Sequence, residues 1–235
     1  MSNSRSNPVE GSETAKTAKK RTVSLSVVRR MPRYYRYLNN LLEGDITRIS
    51  SRELARRTGL TASQIRQDLN CFGGFGQQGY GYDVDKLYHE IGNIIGVEKS
   101  YDAILIGCGN LGRAVAIHLL SQPSAAFRLR AAFDRNPMLI GANIYGLQVF
   151  DPEELAEYCA EYAPKAAFLC LPTENAKSVV DVLYASGVRY YWNFTHYDIS
   201  LEHPDTTVEN VHLTDSLLTL CYHITVEENQ GSDNT

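Results

Sequence analysis

Apolar positions in the first hundred residues recur at helical spacing, punctuated by glycine. From Pro32 onward, Tyr34, Tyr37, Leu38, Leu41 and Leu42 share one face of a helix that Pro32 opens and Gly44 ends. Ser50-Ser51-Arg52-Glu53 has the Ser-x-x-Glu spacing of a capping box, Leu54 and Ala55 begin a short apolar face, and Gly59 supplies a left-handed stop. Thr61 to Gln64 repeats the device as Thr-x-x-Gln, with Ile65, Leu69 and Phe72 on the inner face of a third helix. Between Phe72 and Tyr82 five glycines alternate with aromatic residues, a pattern that suits a tight hairpin, or a phosphate-cradling loop that lacks the Gly-Lys-Ser/Thr ending. An amphipathic helix then runs from Val84 to Ile95 and ends at Gly96, which places a domain boundary near residues 97 to 101.

Beyond that boundary the pattern changes to short apolar runs alternating with helical segments. Tyr101–Ile106, Leu129–Phe133, Ala166–Leu171 and Val188–Trp192 read as buried strands, with helices through Leu120, from Asp151-Pro152-Glu153-Glu154, and from Thr173. Such alternation predicts a doubly wound parallel sheet, so the fold class is α/β with an N-terminal helix-turn-helix unit. The last element, Thr214–Ile224, is apolar around much of its circumference, which fits a helix buried by a second subunit or one capping its own domain.

Composition describes an ordinary globular chain: 235 residues, 43% hydrophobic and 21% charged, with no apolar run near the roughly 18 residues of a membrane span. The N-terminus lacks a signal-peptide core, so a cytoplasmic location is expected. The five cysteines are widely spaced without a Cys-x-x-Cys pair, which argues against a disulfide framework and a metal site. Met1 to about Arg21 has almost nothing apolar and is expected to be a disordered basic arm.

Charge alters the picture most. Residues 1–100 carry 16 Lys/Arg against 10 Asp/Glu, whereas residues 101–235 carry 7 against 17. Between Lys16 and Arg66 there are 13 basic residues and 3 acidic ones, which favours a polyanion-binding helix-turn-helix over a three-helix bundle with a polar face. The outward positions of its second helix, Ser63, Gln64, Arg66 and Gln67, carry side chains suited to base edges in a major groove.

Gly107-Cys108-Gly109-Asn110-Leu111-Gly112 follows a strand and opens a helix, and Asp134 lies 22 residues past Gly112 at the end of the next strand. That context makes Gly-x-Gly-x-x-Gly a dinucleotide fingerprint: Gly107 for the tight turn, Gly109 for close approach of the pyrophosphate, Gly112 for helix–strand packing, and Asp134 for the ribose hydroxyls. Asp134 favours NAD(H), a preference that Arg135 weakens; a CoA-binding or ligand-free domain is the alternative. Strand ends nominate Pro172, Thr173, Asn193, Phe194 and Thr195 around the nicotinamide. No catalytic machinery is evident: Tyr82 and Lys86 form the one Tyr-x-x-x-Lys match but precede the fingerprint, and His118, His196, His212 and His223 lack an evident acid/base partner. Cys108 reads as a small buried residue, with oxidant sensing as the alternative.

Over about residues 25 to 225 the chain resembles the Rex family of bacterial redox-sensing transcriptional repressors. The resemblance is carried by Pro32 to Leu38, Ser50 to Ala55, Gln64 to Leu69, Phe75-Gly76 through Gly79 to Tyr82, Gly107 to Gly112, Ala132-Phe133-Asp134 and Trp192-Asn193-Phe194. It implies winged-helix heads on an inverted-repeat operator, a homodimer with swapped C-terminal helices, NADH binding that releases DNA, with NADH and NAD+ as the nucleotides, and target genes for NADH reoxidation such as those of respiration and fermentation. DNA contacts are then expected from Arg33, Arg36, Ser51, Thr61, Ser63, Gln64, Arg66, Gln67, Gln78, Gly79 and Tyr80. The implied organisation is a disordered arm over 1–24, a winged-helix domain over 25–98, an NAD(H)-binding domain over 99–212, a dimerisation helix over 213–226 and a disordered tail over 227–235. Three departures stand out. Gln67 and Gln78 occupy positions where the family usually has basic residues, a loss of about two units of salt slope if both contacts are normally made. His118 and His212 stand where some members have a Tyr and an Asp belonging to the switch. The rival readings are an NAD-dependent oxidoreductase with a basic appendage and a DNA-binding protein whose second domain only dimerises.

Overall fold

The computed structural model describes residues 23–73, 76–77, 80–121 and 126–232. The basic arm through residue 22, and Gln78 and Gly79 of the glycine-rich hairpin, lie outside the described residues. Contacts divide the chain between Ile95 and Gly96 into two compact units.

The first unit is a helical cluster with a small sheet. Helix α1 (Leu25–Val28) has one turn, too short for periodicity to reveal it. It precedes α2 (Met31–Glu43), α3 (Ser51–Thr58) and α4 (Ala62–Asn70). Both capping expectations hold at their first bond: the Ser50 hydroxyl accepts the Glu53 N–H and the Thr61 hydroxyl accepts the Gln64 N–H, each at 3.1 Å. Gly59, at φ +64°, makes the left-handed turn between α3 and α4. Strands β1 (Arg48–Ile49), β2 (Gly76–Gln77) and β3 (Gly81–Asp83) form an antiparallel sheet with β3 central, the hairpin and flank of a wing. Gly81 is required there, at φ +72°, because a Cβ would lie 2.6 Å from the Ile49 carbonyl oxygen. Helix α5 (Val84–Ile95) closes the unit. Its core joins Met31, Tyr34 and Leu38 of α2 to Leu54, Ile65, Leu69, Leu87 and Ile91, all essentially fully buried. Each such side chain contributes about 1.5–3 kcal/mol by leaving water.

The second unit is a seven-stranded sheet. In chain order its strands are β4 (Tyr101–Ile106), β5 (Phe127–Phe133), β6 (Asn143–Ile144), β7 (Leu147–Phe150), β8 (Ala166–Leu169), β9 (Tyr190–Asn193) and β10 (Thr207–Asn210). Their spatial order is β10-β9-β8-β4-β5-β7-β6, parallel throughout except for the β6–β7 hairpin. The order reverses at β4, which pairs with β5 on one side and β8 on the other, so a crevice opens beyond their carboxyl ends. Helices α7 (Leu155–Tyr162), α8 (Thr173–Ala185) and α9 (Ile199–Glu202) contribute to one core, and α6 (Asn110–Leu120) to a second. Strands β6, β7 and β10 are short and half-polar, and apolar runs did not mark them. At the β6–β7 turn Tyr145 and Gly146 both have positive φ, the requirement of a two-residue hairpin loop.

The terminal helix α10 runs Leu213–Ser232, which corrects the expected end at 226 and the expected tail from 227. Glu227, Glu228 and Gln230 are polar and give no apolar periodicity, yet Glu and Gln are good helix formers and prolong the helix. None of its described residues is buried, and Leu213, Leu217, Leu218, Leu220 and Tyr222 are each more than half exposed. Among the described residues no helix is long and apolar enough to cross a membrane.

Candidate nucleotide cleft and nucleic-acid interface

The turn from β4 into α6 is built by three glycines with distinct tasks. Gly107 sits at φ +95°, donates its N–H to Phe133 O at 2.8 Å, and has no room for a Cβ against the Cys170 carbonyl. Gly112 has no room against the Gly107 carbonyl. Gly109 differs, since a Cβ there would meet no protein atom within 4 Å. The space beside Gly109 is therefore open to a ligand. Gly109 also caps α6 without a side chain, which leaves the first N–H groups of Asn110, Leu111 and Gly112 to an anion at the positive end of the helix.

This turn forms one wall of a cleft of about 590 Å³ lined also by Asp134, Arg135, Asn136, Pro172 and Asn175. The Asp134 carboxylate accepts the N–H of Cys108 at 2.6 Å and that of Asn136 at 2.8 Å, which fixes it at the end of β5 while keeping it half-exposed. Arg113 Nε donates to Cys108 O at 3.0 Å and steadies the same turn. Burial, reinforced by Asp134, pushes the Cys108 thiol up to about 11, and burial pushes Cys170 up to about 12. Both are thiols at neutral pH, the unreactive form, which speaks against oxidant sensing at Cys108. Glycine spacing, a half-exposed carboxylate and an open helix N-terminus fit a dinucleotide.

The residues nominated from the far strand ends divide into two sets. Pro172 and Thr173 are exposed at the start of α8, with Pro172 on the cleft wall, and the Thr173 hydroxyl accepts the His196 N–H at 3.2 Å. Asn193 and Thr195 are buried and committed to each other: Asn193 Oδ1 accepts both the N–H and the hydroxyl of Thr195, while Asn193 Nδ2 donates to Tyr197 O and Asn210 Oδ1. They shape the loop after β9 rather than presenting free polar groups. Phe194 packs at the edge of the core against Trp192, with ring centroids 4.7 Å apart. His118 lies exposed in the last turn of α6, and His212 stacks on His196 at 5.0 Å. Asn175 is a cleft residue that sequence reasoning missed, since Asn in a first helical turn carries no motif.

In the first unit, Asp68 of α4 is fully buried and accepts two hydrogen bonds from Arg30, at 2.6 and 2.8 Å, one from the Tyr34 hydroxyl at 2.7 Å and one from Gln64 Nε2 at 2.8 Å. Burial pushes its carboxyl up, but these hydrogen bonds and the Arg30 charge outweigh it and hold the group below the ordinary carboxylate range. Gln64 is thus held by Asp68, and Thr61 is spent on the helix cap. Arg66 is exposed and donates to the Ser51 hydroxyl at 3.0 Å, so α4 and the start of α3 meet at one polar point. Ser63, Gln67, Arg33 and Arg36 are exposed, with the Arg33 guanidinium beside the Gly59 turn and Arg36 near the Tyr37 ring. Tyr80, at the described edge of the wing, is 73% exposed.

A winged helix-turn-helix followed by a dinucleotide-type α/β domain defines a ligand-responsive DNA-binding regulator. Comparison with known proteins specifies it. Residues 22–70 match the family model "Putative DNA-binding protein N-terminus", and residues 98–197 match "CoA binding domain". The chain is 48% identical over 211 residues to the redox-sensing transcriptional repressor Rex of Caldanaerobacter subterraneus subsp. tengcongensis, covering 90% of this chain and 93% of that one. It is 48% identical over 202 residues to Rex of Clostridium kluyveri, covering 86% and 95%. Among solved structures it is similar to RSP, a Rex-family repressor, with TM-score 0.82 and 44% identity over 91% of this chain and 99% of that one. RSP has also been solved with β-NAD+ and operator DNA (TM-score 0.81, 47% identity, 89% of this chain and 96% of that one). A third RSP structure holds β-NADH (TM-score 0.81, 44% identity, 90% and 98%). The chain belongs to the Rex family of redox-sensing transcriptional repressors.

Proposed function

We propose that this protein is a cytoplasmic repressor that binds an inverted-repeat operator as a homodimer and leaves it when NADH binds, so that transcription follows the NADH/NAD+ ratio. The observation that carries the reading is one chain holding both an exposed face around Arg66 and a cleft kept open at Gly109, in a family of which one member, RSP, has been solved with operator DNA and NAD+ and also with NADH. Gly107 to Gly112 would hold the pyrophosphate and Asp134 a ribose, with Pro172, Thr173 and Phe194 toward the nicotinamide. NAD+ carries a positive charge on that ring and NADH does not, so an apolar surround penalises the oxidised form by desolvation. Nucleotide moves the DNA equilibrium only by its differential affinity for the two states.

The homodimer reading rests on α10. Five large apolar side chains more than half exposed on one helix need a partner, and a second copy supplies it. Two heads then match half-sites one helical turn apart, roughly 34–36 Å. Fluorescence anisotropy on an inverted-repeat duplex, titrated with NADH in a fixed excess of NAD+, tests the whole reading. Release at NADH concentrations far below those at which NAD+ acts supports it; a complex indifferent to both nucleotides, or exchanged only by CoA, rejects it.

A further inference from the structure

The described chain begins at Val23, and that end lies beside α4. Val23, Ser24 and Ser26 line a cavity of about 760 Å³ together with Gln64, Gln67 and Asn70 of α4. The paired hydrogen bonds from Arg30 to Asp68 fasten the far end of this short segment to the same helix. The residues that precede Val23 are therefore rooted alongside the helix proposed above to enter the major groove. Their charges are ordered: Lys16, Lys19, Lys20 and Arg21 fall within seven residues of Val23 with no acidic residue among them, whereas Glu10 and Glu13 separate them from Arg5 further out. Residues 14–22 hold no side chain more apolar than alanine, so this stretch has nothing to offer the core. At no more than about 3.6 Å per residue, Lys19 can lie up to about 14 Å from Val23 and Lys16 up to about 25 Å. A duplex strand presents one phosphate per about 3.4 Å of axis, so a cationic cluster rooted beside α4 has several within reach. The four cations precede the residue at which the match to the DNA-binding family model begins, and that match gives them no role.

We infer that Lys16, Lys19, Lys20 and Arg21 form a second DNA-contact element, which neutralises backbone phosphates beside the groove that α4 enters and adds affinity without sequence preference. The inference rests on the DNA-binding reading above. A lysine ammonium is a point charge without the planar fork that reads a guanine edge, so a mainly lysine cluster holds the duplex and leaves base readout to α4. Each phosphate it neutralises releases counterions and steepens the fall of log affinity with log salt by about 0.9.

The test is fluorescence anisotropy of the full chain, without nucleotide, on the inverted-repeat duplex and on a scrambled duplex of equal length, from about 50 to about 200 mM salt. The quadruple variant Lys16→Gln/Lys19→Gln/Lys20→Gln/Arg21→Gln is expected to lower the salt slope by about 2 to 3.6 units and to weaken both duplexes by one common factor, on the order of 100-fold at about 0.1 M salt. Lys16→Arg/Lys19→Arg/Lys20→Arg should match wild type, because the contact uses charge. Arg5→Gln, beyond Glu10 and Glu13, should move the slope by less than about 0.3 units. Thermal unfolding of each variant checks that the fold is kept. An unchanged slope in the quadruple variant overturns the inference. Tighter binding also overturns it, by showing that the cluster keeps α4 from the duplex. A loss confined to the inverted repeat rejects the sequence-independent role, and an equal loss per charge from Arg5→Gln shows an effect of net charge alone and rejects the rooted contact. Wild-type protein that binds neither duplex rejects the DNA-binding reading itself.

Discussion

Helices α4 and α6, which we propose meet DNA and the dinucleotide, begin in opposite ways. Side chains hold α4: Thr61 caps it, Asp68 ties it to Arg30 and Tyr34, and Arg66 reaches Ser51. Missing side chains define α6, through Gly107, Gly109 and Gly112. A site made of side chains must divide them between holding the helix and meeting the ligand, and Gln64 is held by Asp68. A site made of backbone N–H groups has no such competition, because helix geometry leaves them unpaired.

The contrast breaks most visibly at the glycines. Gly112→Val puts carbon into the Gly107 carbonyl and is expected to cost more than about 4 kcal/mol, seen as lost nucleotide binding and a large fall in Tm. Gly109→Ala, at φ −67° with open space around it, should leave Tm nearly unchanged while weakening NADH about tenfold. Equal damage to folding in the two variants would refute the separate tasks given to these glycines.

On the α4 side, Asp68→Ala strands the Arg30 guanidinium and should cost about 3 kcal/mol in chemical denaturation. The folded pKa of Asp68 is depressed, so its stabilisation is complete above the unfolded value near 3.9 and is lost as pH falls through the folded value. The free energy of unfolding, measured from about pH 5 down to about pH 2, should therefore fall more steeply in wild type than in Asp68→Asn.

Smaller effects separate the two neighbours on the recognition helix. Arg66→Ala should weaken operator binding about tenfold and reduce the salt slope by about one unit. Gln64→Ala should change DNA affinity by less than about threefold and instead cost about 1 kcal/mol of stability. A reversed order would return Gln64 to the DNA face.

The same contrast explains what was legible in the sequence. Capping spacings at Ser50 and Thr61, the Gly59 stop and the glycine fingerprint constrain the backbone directly, and each appears where the pattern put it. Strands β6 and β10 left no apolar run because they are short, half-exposed edge strands, and β7 because its four residues alternate between buried and more exposed positions. The end of α10 was missed because polar helix formers prolong it silently. For Asn193, Thr195 and Gln64 the sequence could not tell which polar group faces a ligand and which faces a neighbour, because that depends on partners distant in sequence, such as Asn210 and Asp68. Asn175 needed the crossover to bring α8 beside β5.

The strand order of the second unit also sets a timetable for synthesis. Central β4 cannot gain its β8 neighbour, nor the cleft its Cys170–Pro172 wall, until some 60 residues after β4 have been made. The first unit ends at Ile95, and domains generally fold N-terminal first as the chain emerges at about 5–20 residues per second. For several seconds, then, a nascent chain carries a folded N-terminal unit and an incomplete nucleotide cleft, and α10 emerges after both.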